Sequence, residues 1–219
     1  MSEELALRIA AYLRAFLVER GSASLVVSGG NSPRRLFEML RVQPLDWRRV
    51  HIALADERWV DSTDAASNER LVREMLLKDR AQEANFHGFK NPAATPEAGA
   101  GDAWSALHPV PRPFDIVLLG MGDDGHTASL FPESPNLAAA LREDAAPGCV
   151  AMRAPAAPAA RLSLNLAALL DSRRIIVLID GESKWRTYVA ATQPGAAAQM
   201  PVRTVLRQRR TPVDVAWAP

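Results

Sequence analysis

A chain of 219 residues with a formal net charge of +1, 48% hydrophobic and 23% charged side chains reads as one globular domain, 1–219, and not as a disordered segment. The balanced charge and the lack of a long basic block exclude nucleic acid as an expected partner, and the single cysteine, Cys149, excludes a disulfide framework or a cysteine-based zinc cluster. The four histidines show no H-x-x-x-H spacing, Glu3 and Glu4 stand where a signal peptide needs positive charge, and no apolar run is long enough to span a bilayer; a soluble cytoplasmic protein without metal or organic cofactor is expected, as a monomer or weak homodimer.

In chain order, Ser2 is placed to cap a first helix, with Glu3 and Glu4 in its first turn. Leu5, Ile9, Leu13, Phe16 and Leu17 form its apolar stripe, and Gly21 ends it. Leu25–Ser28 reads as a strand running into Gly29-Gly30, and Pro33 suits the first turn of a helix carrying Leu36, Phe37 and Leu40. Val50–Leu54 reads as the next strand, followed by Asp56-Glu57-Arg58, and residues 64–78 read as helical. Residues 91–113, rich in Pro, Ala and Gly, read as a connection with a short helix around Trp104. Phe114–Leu119 is a buried strand, entering a Gly-rich turn after which a short helix from Thr127 is stopped by Pro132. An Ala/Pro-rich patch, 145–160, precedes a strand at 161–165, a short helix at 166–170, a strand at 174–180 and a helix from Gly181 to about Thr192. A helix near 202–208 and a strand at 213–217 complete the chain. Strands alternating with helices predict an α/β fold with a mostly parallel sheet covered on both faces.

Four strand ends carry polar residues, and in open α/β sheets ligands bind outside the carboxyl ends of strands. Ser28-Gly29-Gly30-Asn31-Ser32-Pro33 offers close backbone approach and free N–H groups to an anion. In extended backbone, Asp56 and Arg58 share a face and Glu57 takes the other. Asp124 and His126 lie on the turn after 114–119, where histidine suits a general base and a carboxylate can fix its tautomer. Arg161 and Lys184 are the fourth set; Lys184 is the one lysine of three just past a buried strand, where a cation can hold a phosphate. His51 lies within a strand and reads as a core or edge residue, and the five scattered tryptophans form no stacking array.

Gly120-Met-Gly-Asp-Asp-Gly125 also matches G-x-G-x-x-G, with Glu143 and Asp144 about 20 residues on. A dinucleotide reading fails because the strand lies mid-chain and the two aspartates would face a pyrophosphate. No G-x-S-x-G elbow is present, so direct attack by activated water is the simplest chemistry, with His126 as base and Arg58 stabilising an oxyanion.

These segments, in this order, resemble the 6-phosphogluconolactonase family. Residues 28–33 look like its phosphate loop, Asp56-Glu57-Arg58 with Ser67-Asn68 like its second motif, and residues 120–132 like its most specific signature. Arg161 and Gly181-Glu-Ser-Lys184 match its later basic positions. The resemblance implies a three-layer, Rossmann-like αβα sandwich that hydrolyses 6-phosphoglucono-1,5-lactone in the oxidative pentose phosphate pathway. It implies catalytic His126, Asp124, Arg58 and Asp56, a phosphate site of Gly29, Gly30, Asn31, Ser32, Arg161 and Lys184, and no metal or cofactor. Asn31 stands where the family often carries serine. The sister group of glucosamine-6-phosphate deaminases carries tyrosine at the place of Arg58 and Asn-Glu at that of Leu130-Phe131, so its catalytic glutamate is missing. A sugar-phosphate-sensing regulator would bring a DNA-binding segment, for which the chain has no room.

Overall fold

The computed structural model describes residues 1–219. Its frame is a six-stranded sheet built from β1 (Ala23–Val27), β2 (Val50–Leu54), β4 (Asn85–His87), β5 (Ile116–Gly120), β8 (Ile175–Asp180) and β9 (Val213–Ala218). The order is β4-β2-β1-β5-β8-β9, and every pairing is parallel. β1 is buried along its whole length and β5 and β8 along nearly all of theirs, as expected of parallel strands covered on both faces.

The chain moves outward in one direction from β1 and in the other from β5. Right-handed crossovers in opposite directions place their helices on opposite faces. α1 (Ser2–Arg20), α2 (Arg34–Leu40) and α3 (Asn68–Met75) pack in series, and α6 (Leu166–Leu170) and α7 (Gly181–Thr192) both pack on α8 (Val202–Arg207). The result is the expected αβα sandwich. Its topological switch lies between β1 and β5, so Ser28 and the Gly120 turn face each other across a crevice. No helix is long and apolar enough to cross a membrane.

A second, smaller sheet was not anticipated. β3 (Asp56–Arg58), β7 (Ala160–Leu164) and β6 (Cys149–Arg153) pair antiparallel in that order. Ala55 is the crossing point: its N–H donates to Val27 O in the large sheet and its carbonyl accepts from Leu164 N in the small one. α4 (Pro96–Ser105) packs on this sheet. β6 falls in the Ala/Pro-rich patch 145–160, where no strand was expected, because its pairing with β7, not its composition, makes it a strand.

Other boundaries differ for local reasons. Ser2 is the first helical residue of α1 and makes no capping bond, while Gly21 ends the helix at φ 83°. α3 starts at Asn68 and not Asp64, because Ser67 caps it and the buried Glu57 carboxylate accepts from the Asn68 and Glu69 amides at 2.7 and 2.8 Å. No helix opens at Thr127. Thr127 bridges to Leu130 and Ala128 sits at φ 48°, a left-handed residue that turns the chain sharply. The next helix, α5 (Leu137–Ala140), is a single turn.

At the far edge of the sheet, His51 on β2 and His87 on β4 stack with ring centroids 5.2 Å apart and Nδ1 3.0 Å from Nε2. Burial lowers both pKa values; the His87 charge adds to this for His51, and a hydrogen bond at Ala106 opposes it for His87. The folded state therefore prefers neutral rings. Their contribution to stability is complete above the unfolded pKa of about 6.5 and is lost as pH falls from there toward the lowered folded values. Thermal melting should show this directly: the loss of Tm between about pH 7.5 and about pH 5.5 should shrink in His51→Gln/His87→Gln. An unchanged pH dependence in the folded double variant would assign the effect elsewhere.

Candidate active site

A cleft of about 190 Å3 opens over the β1/β5 switch point, and all the residues that sequence reasoning assigned to the site line it except Asp124, which reaches it through His126. From β1 come Ser28 and the loop Gly29, Gly30, Asn31 and Ser32; from β3, Asp56 and Arg58; from the β5 turn, His126; from β7, Arg161; from α7, Lys184. Three of its lining residues are hydrophobic, so the cleft is built for a polar ligand.

The turn after β5 is held from several sides. Gly122 N donates to His126 O at 2.9 Å, Gly125 N to Gly122 O at 3.0 Å, and Val202 N to Gly125 O at 2.9 Å. Gly125 has φ 78°, and a Cβ on Gly122 would collide with the His126 ring. Within this frame His126 Nδ1 lies 2.6 Å from Asp124 Oδ1, and the same oxygen accepts from His126 N at 3.0 Å. Burial works to raise the Asp124 pKa, but the hydrogen bonds and charge of His126 outweigh it and hold the carboxyl below its usual value. A carboxylate on Nδ1 places the proton there and leaves Nε2 as an acceptor. Phe131 packs on the imidazole at a centroid distance of 4.3 Å.

Asp124 is thus the carboxylate partner of His126, and Asp56 is not. Asp56 accepts from Ser129 Oγ at 2.6 Å, deep in the cleft wall. Asp56 and Arg58 both line the cleft but form no ion pair; Arg58 Nη1 donates to Ala66 O. Glu57 does take the opposite face, buried under α3.

The small sheet explains the basic wall. Arg58 on β3 lies directly opposite Arg161 on β7. Like charges facing each other across strands are destabilising. Arg161 is buried, and its Nε and Nη1 have no partner in the chain. Burial, then the Arg58 charge, lowers its pKa, against Asp56 and Glu57, yet a guanidinium stays protonated. Two adjacent cations, one of them with two unpartnered buried donors, are chemically suited to hold an anion. Lys184, from α7, donates to Ser32 Oγ at 3.0 Å and to Asp180 Oδ1 at 3.2 Å.

The amides of Gly29, Gly30, Asn31 and Ser32 donate no hydrogen bond within the protein. Gly30 is left-handed at φ 92°, and a Cβ on Gly29 would collide with the Asn68 amide. Asn68 is a lining residue in its own right, its Nδ2 donating to Asp56 O at 2.8 Å. Ser129 was not singled out from sequence; its signal was a hydroxyl in the otherwise apolar run 128–131. No three His, Cys, Asp or Glu side chains converge to hold a metal ion.

Known proteins resemble this chain over nearly its whole length. A 6-phosphogluconolactonase of Pseudomonas aeruginosa is 46% identical over 215 residues, 98% of this chain and 89% of that protein. One from Rhizobium meliloti is 40% identical over 219 residues, covering 100% and 94%. The crystal structure of a 6-phosphogluconolactonase from Shewanella baltica superposes with a TM-score of 0.96 at 49% identity, covering 100% of this chain and 93% of that one. The profile of the glucosamine-6-phosphate isomerases/6-phosphogluconolactonase family matches residues 1–217, and the chain belongs to that family.

Proposed function

We propose that this chain hydrolyses 6-phospho-D-glucono-1,5-lactone to 6-phospho-D-gluconate, the lactonase step of the oxidative pentose phosphate pathway. The phosphate rests on the 29–32 loop amides, Lys184 and Arg161, and the lactone carbonyl lies toward Arg58. His126 Nε2 takes a proton from a water whose oxygen bonds to the carbonyl carbon. The carbonyl oxygen becomes an oxyanion, stabilised by the Arg58 guanidinium. As the tetrahedral intermediate collapses, the bond from that carbon to the ring oxygen breaks. His126 returns the proton to the departing ring oxygen. Asp124 stays ionised throughout and stabilises the imidazolium, as a carboxylate does behind a catalytic histidine. Asp56, held by Ser129, offers its other oxygen to a sugar hydroxyl. The reaction so written uses no metal and no organic cofactor.

The observation that carries this reading is the 2.6 Å contact between His126 Nδ1 and Asp124 in a cleft that the cross-strand Arg58–Arg161 pair also lines. The relatives named as 6-phosphogluconolactonases, matched over nearly the whole chain, support it. The test is a coupled assay on freshly generated 6-phosphogluconolactone, corrected for spontaneous opening. A rate no higher than the uncatalysed background would refute the reading.

The phosphate end makes a separate expectation. Arg161→Ala and Lys184→Ala should each raise KM more than they lower kcat, because the phosphate is remote from the carbonyl and is held alike in ground and transition states. Steady-state kinetics with phosphorylated and unphosphorylated gluconolactone measures this. A wild-type enzyme indifferent to the phosphate would remove these two cations from the binding role.

A further inference from the structure

The end of β8 holds an anion of the protein's own. Asp180 lies at the carboxyl end of that strand, at the N-cap position of α7, yet its side chain caps nothing. Instead Ser32 Oγ donates to Asp180 Oδ1 at 2.5 Å, and Lys184 Nζ donates to the same oxygen at 3.2 Å and to Ser32 Oγ at 3.0 Å. The Ser32 bond comes first, partial burial opposes it, and the Lys184 bond and charge add to it; together they hold the Asp180 carboxyl below its usual range.

Two groups assigned to the substrate phosphate are therefore already engaged. The Ser32 hydroxyl has one hydrogen, spent on Asp180, and cannot donate it to a phosphate at the same time. Two of the three Lys184 donors point to groups of the chain. A phosphate dianion on these donors would sit against a fixed negative charge. If Asp180 served only to aim Lys184, a neutral acceptor would do so without that repulsion.

We propose that Asp180 is an internal counter-anion that occupies the Ser32 and Lys184 donors in the empty cleft and competes with the substrate's phosphate for them. It sets the affinity of the cleft for phosphorylated ligands below what its cations would otherwise give. The consequence falls most on the product, which carries a second anionic group in its new carboxylate and must leave a strongly basic cleft. The proposal rests on the reading of the 29–32 loop and Lys184 as the phosphate end.

The experiment is Asp180→Asn, close in shape and without the charge, beside Asp180→Glu, which keeps it. Titration calorimetry with 6-phosphogluconate and with inorganic phosphate reads binding without turnover, so it gives an answer even for a protein that shows no lactonase activity. Asp180→Asn should bind both about three- to tenfold more tightly, the range for one half-exposed charge beside the ligand. KM for the phosphorylated lactone should fall in step, and KM for unphosphorylated gluconolactone should stay. Asp180→Glu should show no tightening. Weaker or unchanged phosphate binding in Asp180→Asn would overturn the proposal, as would equal tightening toward the unphosphorylated lactone.

Discussion

His126→Ala should lower kcat by ~10²–10⁴-fold, the usual loss on removal of a general base, with a melting temperature close to wild type. The fold should survive because the His126 side chain is 29% exposed and the turn around it is held mainly by backbone bonds at Gly122, Gly125 and Val202. KM should change little, since neither the loop amides nor Arg161 and Lys184 depend on the imidazole. Asp124→Asn should be damaged through the same ring. An amide can present its N–H to Nδ1 and stabilise the wrong tautomer, leaving Nε2 protonated and unable to accept. Asp56→Asn should leave that tautomer alone, because Asp56 bonds Ser129 and not His126. Near-normal turnover by the folded His126 variant, above spontaneous hydrolysis, would remove histidine from the chemistry. Equal losses in kcat from Asp124→Asn and Asp56→Asn would argue against a specific Asp124–His126 unit.

Much of this site was legible in the sequence because each functional segment follows a strand that announces itself. Val50–Leu54 and Ile175–Asp180 are apolar runs that no helix period explains, and glycines or charges stop them abruptly. The three parallel strands β1, β5 and β8 then bring their ends together by topology alone. What sequence could not show lies in the small sheet. Cys149–Arg153 has a weak strand signature, and β3 is only three residues long. β3 is a strand only through pairing with β7 across about a hundred residues, and β6 only through its hairpin with β7; neither pairing leaves much trace in its own strand's composition. That sheet sets Arg58 against Arg161, so the most telling electrostatic feature of the cleft was the least visible in advance. The long-range partners of Asp56 and Lys184 were hidden as well. Ser129 meets Asp56 only because Ala128 turns left-handed, and Ser32 meets Lys184 only because β8 ends beside the β1 loop, whereas the Asp180–Lys184 pair is a local contact four residues apart.

Arg58→Tyr should cost the lactonase several hundredfold in kcat, about 3–4 kcal/mol of transition-state stabilisation if the guanidinium contacts the developing oxyanion. The tyrosine is the residue that the deaminase branch of the family carries there, so the substitution asks whether this position alone divides the two chemistries. It should not. Deamination and isomerisation of an amino sugar need ring opening and proton transfer at carbon 2, and so an acid/base group besides the histidine. By the sequence resemblance Phe131 stands at the place of that group, and its ring packs on His126 at 4.3 Å, an apolar neighbour that can neither give nor take a proton. A carboxylate there would sit against the imidazole and alter its protonation as well. Arg58→Tyr should also relieve the cross-strand repulsion with Arg161, so its melting temperature should hold or rise even as activity falls. Opposite signs for stability and activity would mark Arg58 as a residue kept for function at the expense of the fold. Lactone hydrolysis assays, ammonia release from glucosamine 6-phosphate and thermal melts on the one variant read all three quantities. Ammonia release by the wild-type protein at a rate comparable to its lactone hydrolysis would overturn the assignment of chemistry. Full lactonase activity in Arg58→Tyr would move the oxyanion role to Arg161, whose unpartnered Nε and Nη1 face the same problem of charge from the opposite strand.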